Sequence, residues 1–166
     1  MENSRINLLA SNDKLSPLEI PSIITSSKVE DTIALGKKLS CSLEKGSIIA
    51  LQGPLGAGKT CLVKGIASGL GVKDEVTSPT YTIISEYEGI LDDKAIPVYH
   101  IDAYRLRGTD DFISLGGEEV IFGNGISIIE WSERISELIP EEAFKVVIEI
   151  KGENDRLITI YRGDRI

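Results

Sequence analysis

The most specific chemical pattern in this chain lies at residues 53–60, which read Gly-Pro-Leu-Gly-Ala-Gly-Lys-Thr. They complete the pattern G-x-x-x-x-G-K-[ST], whose glycines let backbone N–H groups approach a phosphate closely. The ammonium of Lys59 would reach the β- and γ-phosphates, and the hydroxyl of Thr60 would bind Mg²⁺. The pattern predicts a nucleoside triphosphate site. Its expected contacts are Gly53, Leu55, Gly56, Ala57, Gly58, Lys59, Thr60 and Cys61.

Such a loop works only when a strand delivers it and a helix follows with its first amides directed at the anion. The apolar run at 47–52 suits the strand, and the stretch at 62–70 is compatible with the helix. Because both elements stand in the required order, the context supports the phosphate-loop interpretation more strongly than the pattern alone.

Hydrolysis or phosphoryl transfer also needs an acid for Mg²⁺ and a group that orients the nucleophile. Asp102 and Glu130 each follow an apolar run, at 98–101 and 126–129. An open α/β sheet collects its ligand at the carboxyl ends of its strands. Either acid can hold Mg²⁺ directly or through water while the other polarises the attacking water. A lone strand-end acid often caps the next turn, but two beside a phosphate loop favour a catalytic interpretation.

Other polar residues near these segments allow more than one interpretation. In Ser-Pro-Thr-Tyr at 78–81, Thr80 stands where switch-type hydrolases sense Mg²⁺ and the γ-phosphate, but ordinary turn chemistry gives the same residues. Arg105 and Arg107 can neutralise developing charge or form surface salt bridges, which is the commoner outcome. His100, the only histidine, is expected to be a hydrogen-bonded structural residue.

Composition limits the classes of function. The chain has 166 residues, enough for one domain, and a net charge of −8. That charge gives no general attraction for a nucleic-acid backbone, so neither DNA binding nor unaided RNA binding is expected. Cys41 and Cys61 show no metal-ligand spacing and no disulfide framework, which favours a reducing cytoplasmic setting. No apolar run is long enough to span a membrane, and no signal peptide is evident.

The remaining pattern predicts one α/β domain over 19–166, with a mixed β-sheet flanked by helices and a C-terminal β-hairpin. Residues 1–18 are interpreted as a loosely ordered extension. The expected strands are at 19–24, 47–52, 81–87, 96–101, 126–129, 145–151 and 156–162, and the helical segments at 27–43, 62–70, 112–115, 118–122 and 132–138. The helix at 27–43 opens with a capping box and is expected to bury Val29, Ile33, Leu39 and Leu43.

Four segments, at 53–60, 78–81, 100–105 and 129–131, together resemble the bacterial TsaE (YjeE) family. The last three read Ser-Pro-Thr-Tyr, His-Ile-Asp-Ala-Tyr-Arg and Ile-Glu-Trp, and the similarity looks continuous from about residue 26 to 150. The resemblance implies a P-loop ATPase that supports N6-threonylcarbamoyladenosine formation at position 37 of tRNA. It implies TsaB- and TsaD-like partners, of which TsaD performs the carbamoyl transfer while ATP hydrolysis resets the complex. Contact with tRNA would then be indirect.

The resemblance also assigns roles by matching position. It implies phosphate and Mg²⁺ contacts for Lys59 and Thr60, a switch role for Thr80, a Walker B-like acid at Asp102, a second acid near Mg²⁺ at Glu130, and a ring beside the nucleotide at Trp131. From the residues alone, core packing explains Trp131 equally well. Pro54 departs from the family, which usually carries an acid after the first loop glycine, so any role of that acid does not transfer.

Two alternatives to the ATPase subunit remain. A small-molecule or nucleoside kinase needs the same loop and acids, together with an acceptor pocket and a closing lid, and no arginine-rich lid is evident. A nucleotide-sensing module would bind ADP and Mg²⁺ without turnover. The guanine-reading sequence Asn-Lys-x-Asp does not occur, which favours ATP or ADP as the ligand.

Overall fold

A mixed β-sheet with helices on both faces is built from residues 16–79 and 81–163, the part of the chain that the computed structural model describes. Its elements in chain order are β1 (Ser22–Ser26), α1 (Val29–Ser40), β2 (Ile48–Gln52), α2 (Lys59–Gly69), β3 (Ile84–Leu91), β4 (Lys94–Asp102), α3 (Thr109–Ser114), α4 (Gly117–Ile121), β5 (Ile126–Glu130), a 3₁₀-helix (Ser132–Leu138), β6 (Phe144–Ile150) and β7 (Arg156–Tyr161). The strand order is β1-β7-β6-β2-β5-β4-β3.

The strand that delivers the phosphate loop, β2, lies in the centre of this sheet. It runs parallel to β5 and β6, and β4 runs parallel to β5. Residues 48–51 are all buried, as expected for a central strand covered on both faces. Leu51 and Asp102 both pair with Glu130, so the carboxyl ends of β2, β4 and β5 meet at one edge. The parallel centre therefore brings the loop and both strand-end acids together.

Two hydrophobic layers hold the helices on opposite faces of the sheet. Helices α1 and α2 cover one face, where Leu35 and Leu62 pack in one cluster with Ile49 of β2. Phe112 of α3 and Ile135 of the 3₁₀-helix belong to the second cluster. Neighbouring residues of β2 enter different clusters because strand side chains alternate between the faces.

The predicted fold class is confirmed: the sheet is mixed, helices flank it, and β6 and β7 form the C-terminal hairpin with antiparallel pairing. Antiparallel strands β1 and β3 form the two edges. The chain has the P-loop NTPase-like architecture that the loop context predicts.

Helix α1 differs from its prediction in length and cap, and its buried face is confirmed only in part: Leu39 and Leu43 are buried, but Val29 and Ile33 are not. It ends at Ser40, its N-cap Lys28 makes no side-chain capping bond, and Val29 is 55% exposed. The Ser27 amide instead donates to Asp31 at 3.1 Å. The buried residues are Thr32, Leu35, Gly36, Leu39 and Ser40. The apolar stripe is rotated because Gly36 packs directly on the backbone of α2, where an added Cβ would lie 2.5 Å from the Leu62 carbonyl oxygen.

Other boundaries also differ from the prediction: β1 is Ser22–Ser26, and α2 begins three residues earlier than expected, at Lys59. Strand β3 begins at Ile84, after Ile83 takes a positive φ of 65°, and continues through the predicted turn to Leu91. The turn is confined to Asp92 and Asp93, which both have positive φ, as tight hairpins require. The segment after β5 is a 3₁₀-helix with a kink at Ile135.

Some predictions fall on residues outside the described ranges. Residues 1–15 and Thr80 lie there, so the loosely ordered extension and the switch position stay predictions. Leu18, at the end of that extension, is buried, and its amide donates to the Ser42 hydroxyl at 3.0 Å. No helix within 16–79 and 81–163 is long and apolar enough to cross a membrane.

The close contact of α1 with α2 makes Gly65 intolerant of a side chain. A Cβ there would overlap the backbone carbonyl oxygen of Ile33. Alanine in a helix ordinarily gains about 0.5–1 kcal/mol over glycine, but forcing two packed helices apart costs roughly 1–3 kcal/mol. We expect Gly65→Ala to lower the free energy of unfolding in urea, while Ser68→Ala, on the exposed face, changes it little. A stabilised Gly65→Ala variant would contradict this packing.

Candidate functional site

The phosphate loop leaves β2 and enters α2 through two left-handed glycines. Gly56 has φ 79° and Gly58, the residue before α2, has φ 98°. Both angles are costly for residues with a Cβ. Gly53 is needed for another reason, since a Cβ there would lie 2.8 Å from the Ile148 carbonyl oxygen. The first amides of α2 have no intrahelical acceptor, so this end of the helix suits an anion.

Lys59 lies within the loop rather than in solvent. Its ammonium donates to the carbonyl oxygens of Gly53 at 2.6 Å and Pro54 at 3.0 Å. It also lies 4.1 Å from the ring centroid of Trp131. Burial lowers the pKa of Lys59 from its ordinary value, and the carboxylates of Glu130, Glu133 and Asp102 oppose that shift. A charged ammonium is thus held against the loop by carbonyls, acids and an aromatic face.

A single buried carboxylate joins the loop helix to two strands. The Thr60 hydroxyl donates to Oε1 of Glu130 at 2.9 Å, and Nε2 of His100 lies 2.7 Å from Oε2. Glu130 and His100 are only 3% and 1% exposed. Because a carboxylate only accepts, Nε2 of the ring carries the hydrogen of this bond. The expectation that His100 is a hydrogen-bonded residue is confirmed, with Glu130 as its partner.

Asp102 occupies a different position at the same edge. Its Oδ2 accepts from the Ser78 hydroxyl at 3.0 Å, and its Oδ1 accepts from the Tyr104 amide at 3.0 Å. Asp102 and Glu130 are register partners across β4 and β5. The acid that contacts Thr60 is therefore Glu130, whereas Asp102 holds the segment that precedes β3 and the turn that follows β4.

The donor set fits a small, hard cation. A hydroxyl and a carboxylate oxygen 2.9 Å apart, Thr60 Oγ1 and Glu130 Oε1, are both oxygen ligands of the kind Mg²⁺ prefers. Within the described ranges, no group of three or more His, Cys, Asp or Glu residues is arranged to hold a metal. Mg²⁺ at nucleotide sites ordinarily takes one or two protein oxygens and completes its shell with water and phosphate oxygens.

The remaining candidates divide between the site and the surface. Leu55, at the loop tip, is 84% exposed, and Cys61 follows Thr60 in α2, half-buried and with a free thiol. Arg105 lies over the ring of Tyr81, 5.0 Å from its centroid. Arg107 forms a surface ion pair with Asp111 at 3.0 Å, which is the commoner outcome expected for it.

Comparison with known proteins decides the family. A profile described as "Threonylcarbamoyl adenosine biosynthesis protein TsaE" matches residues 26–158. Curated relatives named "tRNA threonylcarbamoyladenosine biosynthesis protein TsaE" include one from Treponema pallidum, 41% identical over 81% of this chain and 96% of its own length. Another, from Bacillus subtilis, is 41% identical over 78% of each chain. The chain belongs to the TsaE family.

A TsaE-family assignment agrees with the three-dimensional comparison. The crystal structure of Bacillus subtilis YdiB matches with a TM-score of 0.64 and 32% identity, covering 89% of this chain and 90% of that one. The family match spans β2 through β6 and the first half of β7, so it includes the loop and both strand-end acids. Family membership and the structural match establish a P-loop NTPase-type protein.

Two side chains of this TsaE-family site were missed by sequence reasoning. Glu133, just after Trp131, is close enough to act on the pKa of Lys59. Arg156, at the start of β7, donates to the loop carbonyls of Gly56 at 3.2 Å and Ala57 at 3.2 Å. An acid three residues beyond a strand end was a readable local signal for Glu133. Arg156 gave no such signal, because it is 99 residues from Ala57 in sequence.

The buried pair of His100 and Glu130 generates a stability prediction. His100→Ala removes one of the two side-chain donors of a buried carboxylate, so we expect the free energy of unfolding to fall by about 3 kcal/mol. His100→Gln places an amide N–H near the former Nε2 and should recover most of the loss. Urea unfolding at neutral pH measures both variants. If the alanine and glutamine variants lose equal free energy of unfolding, the hydrogen bond to Glu130 is not the source of the stability that His100 provides.

Proposed function

We propose that this protein is a Mg²⁺-dependent ATPase required for threonylcarbamoyladenosine modification of tRNA. The observation that carries the proposal is the hydrogen bond from Thr60, the last residue of the phosphate-loop motif, to Glu130 at the end of β5 in a TsaE-family chain. A loop alone supports binding, but a loop hydroxyl bonded to a strand-end carboxylate is the arrangement that positions a divalent ion beside phosphates. The names of the relatives supply the tRNA product.

Each site residue would then have its own role in ATP hydrolysis. Amides of the loop and the ammonium of Lys59 bind and orient the phosphates of ATP or ADP. Thr60 and Glu130 would hold Mg²⁺, which neutralises charge on the phosphate oxygens. Asp102 contacts Ser78 and the Tyr104 amide, so it positions the segment at 78–81, where Thr80 is proposed to sense the nucleotide. Trp131 covers the Lys59 ammonium and excludes water from that side.

The partners proposed for this chain are TsaB- and TsaD-like proteins. The net charge of −8 disfavours direct contact with the tRNA backbone, so coupling to the tRNA would pass through those proteins. No DNA or membrane role is proposed. The compartment proposed is the cytoplasm, where Cys41 and Cys61 would both stay reduced.

Lys59→Ala tests the ATPase proposal. We expect a loss of about 10²-fold or more in phosphate release from ATP and Mg²⁺, because a charge at the transferring phosphate is removed. The assay compares the chain alone with the chain plus TsaB, TsaD and tRNA, and measures modified tRNA in parallel. Lys64→Ala, exposed on the same helix, is the matched control and should behave as the wild type.

The outcomes separate the competing functions. Full turnover and full modification with Lys59→Ala would overturn the proposal. Transfer of the γ-phosphate into a metabolite would indicate a kinase. Tight ADP binding without phosphate release, with or without the partners, would indicate a nucleotide sensor.

A second test distinguishes the two strand-end acids. Because Glu130 contacts Thr60 and Asp102 does not, we expect Glu130→Gln to raise the Mg²⁺ concentration for half-maximal turnover about tenfold. Asp102→Asn should lower kcat with a smaller change in Mg²⁺ dependence. Glu133→Gln removes a carboxylate near Lys59 without touching Thr60, and it controls for charge alone. An equal Mg²⁺ shift in all three variants would reject a specific role for Glu130.

A further inference from the structure

Arg156 connects the C-terminal hairpin to the phosphate loop. It is the first residue of β7 and is half-buried. Its Nε donates to the Ala57 carbonyl at 3.2 Å, and its Nη2 donates to the Gly56 carbonyl at 3.2 Å. The two loop carbonyls are thus bridged by two nitrogens of one planar guanidinium, a fork that lysine cannot reproduce.

The other side of the guanidinium is fixed by the hairpin turn. Its Nη1 donates to the carbonyl oxygens of Gly152 at 3.1 Å, Glu153 at 3.3 Å and Asp155 at 3.1 Å. A side chain held by backbone acceptors on both sides has little freedom. The β6–β7 turn and the loop therefore form one hydrogen-bonded unit through Arg156.

Peptide geometry gives this contact a consequence for anion binding. A trans peptide is planar, so the N–H of Gly58 points opposite to the carbonyl of Ala57. A guanidinium that fixes the Ala57 carbonyl on its own side therefore directs the Gly58 amide away from itself, towards the opposite side of the loop. The Gly56 carbonyl likewise fixes the Ala57 amide, but that amide donates within the loop, to the Pro54 carbonyl at 3.1 Å. Loop amides bind phosphate only when they converge.

We propose that Arg156 is a positioning residue for the nucleotide site: it holds the phosphate loop with the Gly58 amide already oriented for a polyphosphate, and it makes the C-terminal hairpin part of that site. The inference rests on the proposed nucleotide-binding function. Arg156 acts through the carbonyls of Gly56 and Ala57. Pre-orientation of the loop lowers the cost of ordering it when the ligand binds.

The test compares Arg156→Gln, Arg156→Lys and the wild type in the full-length protein. Titration calorimetry with ADP and Mg²⁺ should show an affinity about tenfold weaker for Arg156→Gln, because two charge-assisted bonds to the loop are lost. Arg156→Lys should lose most of the same affinity, since it retains the charge but not the fork. The amide resonance of Gly58 without nucleotide should shift or broaden in both variants.

A matched control lies on the same hairpin. Arg162 donates to the Glu142 carbonyl at 2.8 Å and lies over Phe144, so it anchors backbone without touching the loop. Arg162→Gln should leave both the ADP affinity and the Gly58 resonance unchanged. Urea unfolding of all variants shows whether any loss follows from general destabilisation.

Each result decides between the proposals. Wild-type affinity in Arg156→Gln or Arg156→Lys, or equal losses in Arg162→Gln, would overturn the positioning role while nucleotide binding stands. If the wild type binds neither ADP nor ATP, the proposed function fails. The Gly58 resonance still tests in that case whether Arg156 orients the loop: an unchanged resonance rejects the inference and a perturbed one supports it.

Discussion

The site depends on the burial of one carboxylate, that of Glu130. A charge removed from water is stable only when its oxygens are hydrogen-bonded, and here Thr60 and His100 each supply one donor. Those donors come from α2 and β4, while Glu130 ends β5. The loop helix and two strands are consequently held in one relative position. Displacing any of them would leave a buried charge with an incomplete set of partners.

The turn after Glu130 shows that tertiary contacts around the loop override the backbone conformation that a single residue prefers. Trp131 adopts the left-handed conformation, with φ 56° and ψ 39°, which costs of order 1–3 kcal/mol for a residue with a Cβ. The conformation brings the indole over Lys59 and against Tyr104, with ring centroids 4.9 Å apart. Ser132 then donates to the Leu51 carbonyl at 3.2 Å and ties the turn to β2. The turn is shaped by its contacts around the loop.

The sequence predicted the parts of this fold that depend on local pattern and strand ends. The β2-loop-α2 unit and the acids at Asp102 and Glu130 were readable because apolar runs end where polar residues begin. The buried face of α1 was readable only in part: Leu39 and Leu43 follow the apolar pattern, but the burial of Gly36 is set by its contact with Gly65 of α2. Strand β3 continues through Gly89 because that residue packs under Leu70, where an added Cβ would lie 3.1 Å from the Leu70 carbonyl oxygen.

The contact of Arg156 with the loop could not be predicted either, because it also joins elements that are distant in sequence. An arginine that opens a strand looks like any surface cation, and its acceptors are backbone carbonyls, which carry no residue-type signal. Only the order β6-β2 in the sheet brings the C-terminal hairpin beside the strand that delivers the loop. Long-range backbone acceptors of this kind appear only once the topology is known.

The charges around Lys59 explain why the proposed ATPase should need a divalent ion. Glu130, Glu133 and Asp102 all act electrostatically on this ammonium. A polyphosphate brought to the loop would meet these three carboxylates, and Coulomb repulsion is strong where water is scarce. A divalent cation held by Thr60 and Glu130 would offset that repulsion. On the proposed function, coupling between Mg²⁺ and nucleotide is therefore a property of the protein's own acids as well as of ATP.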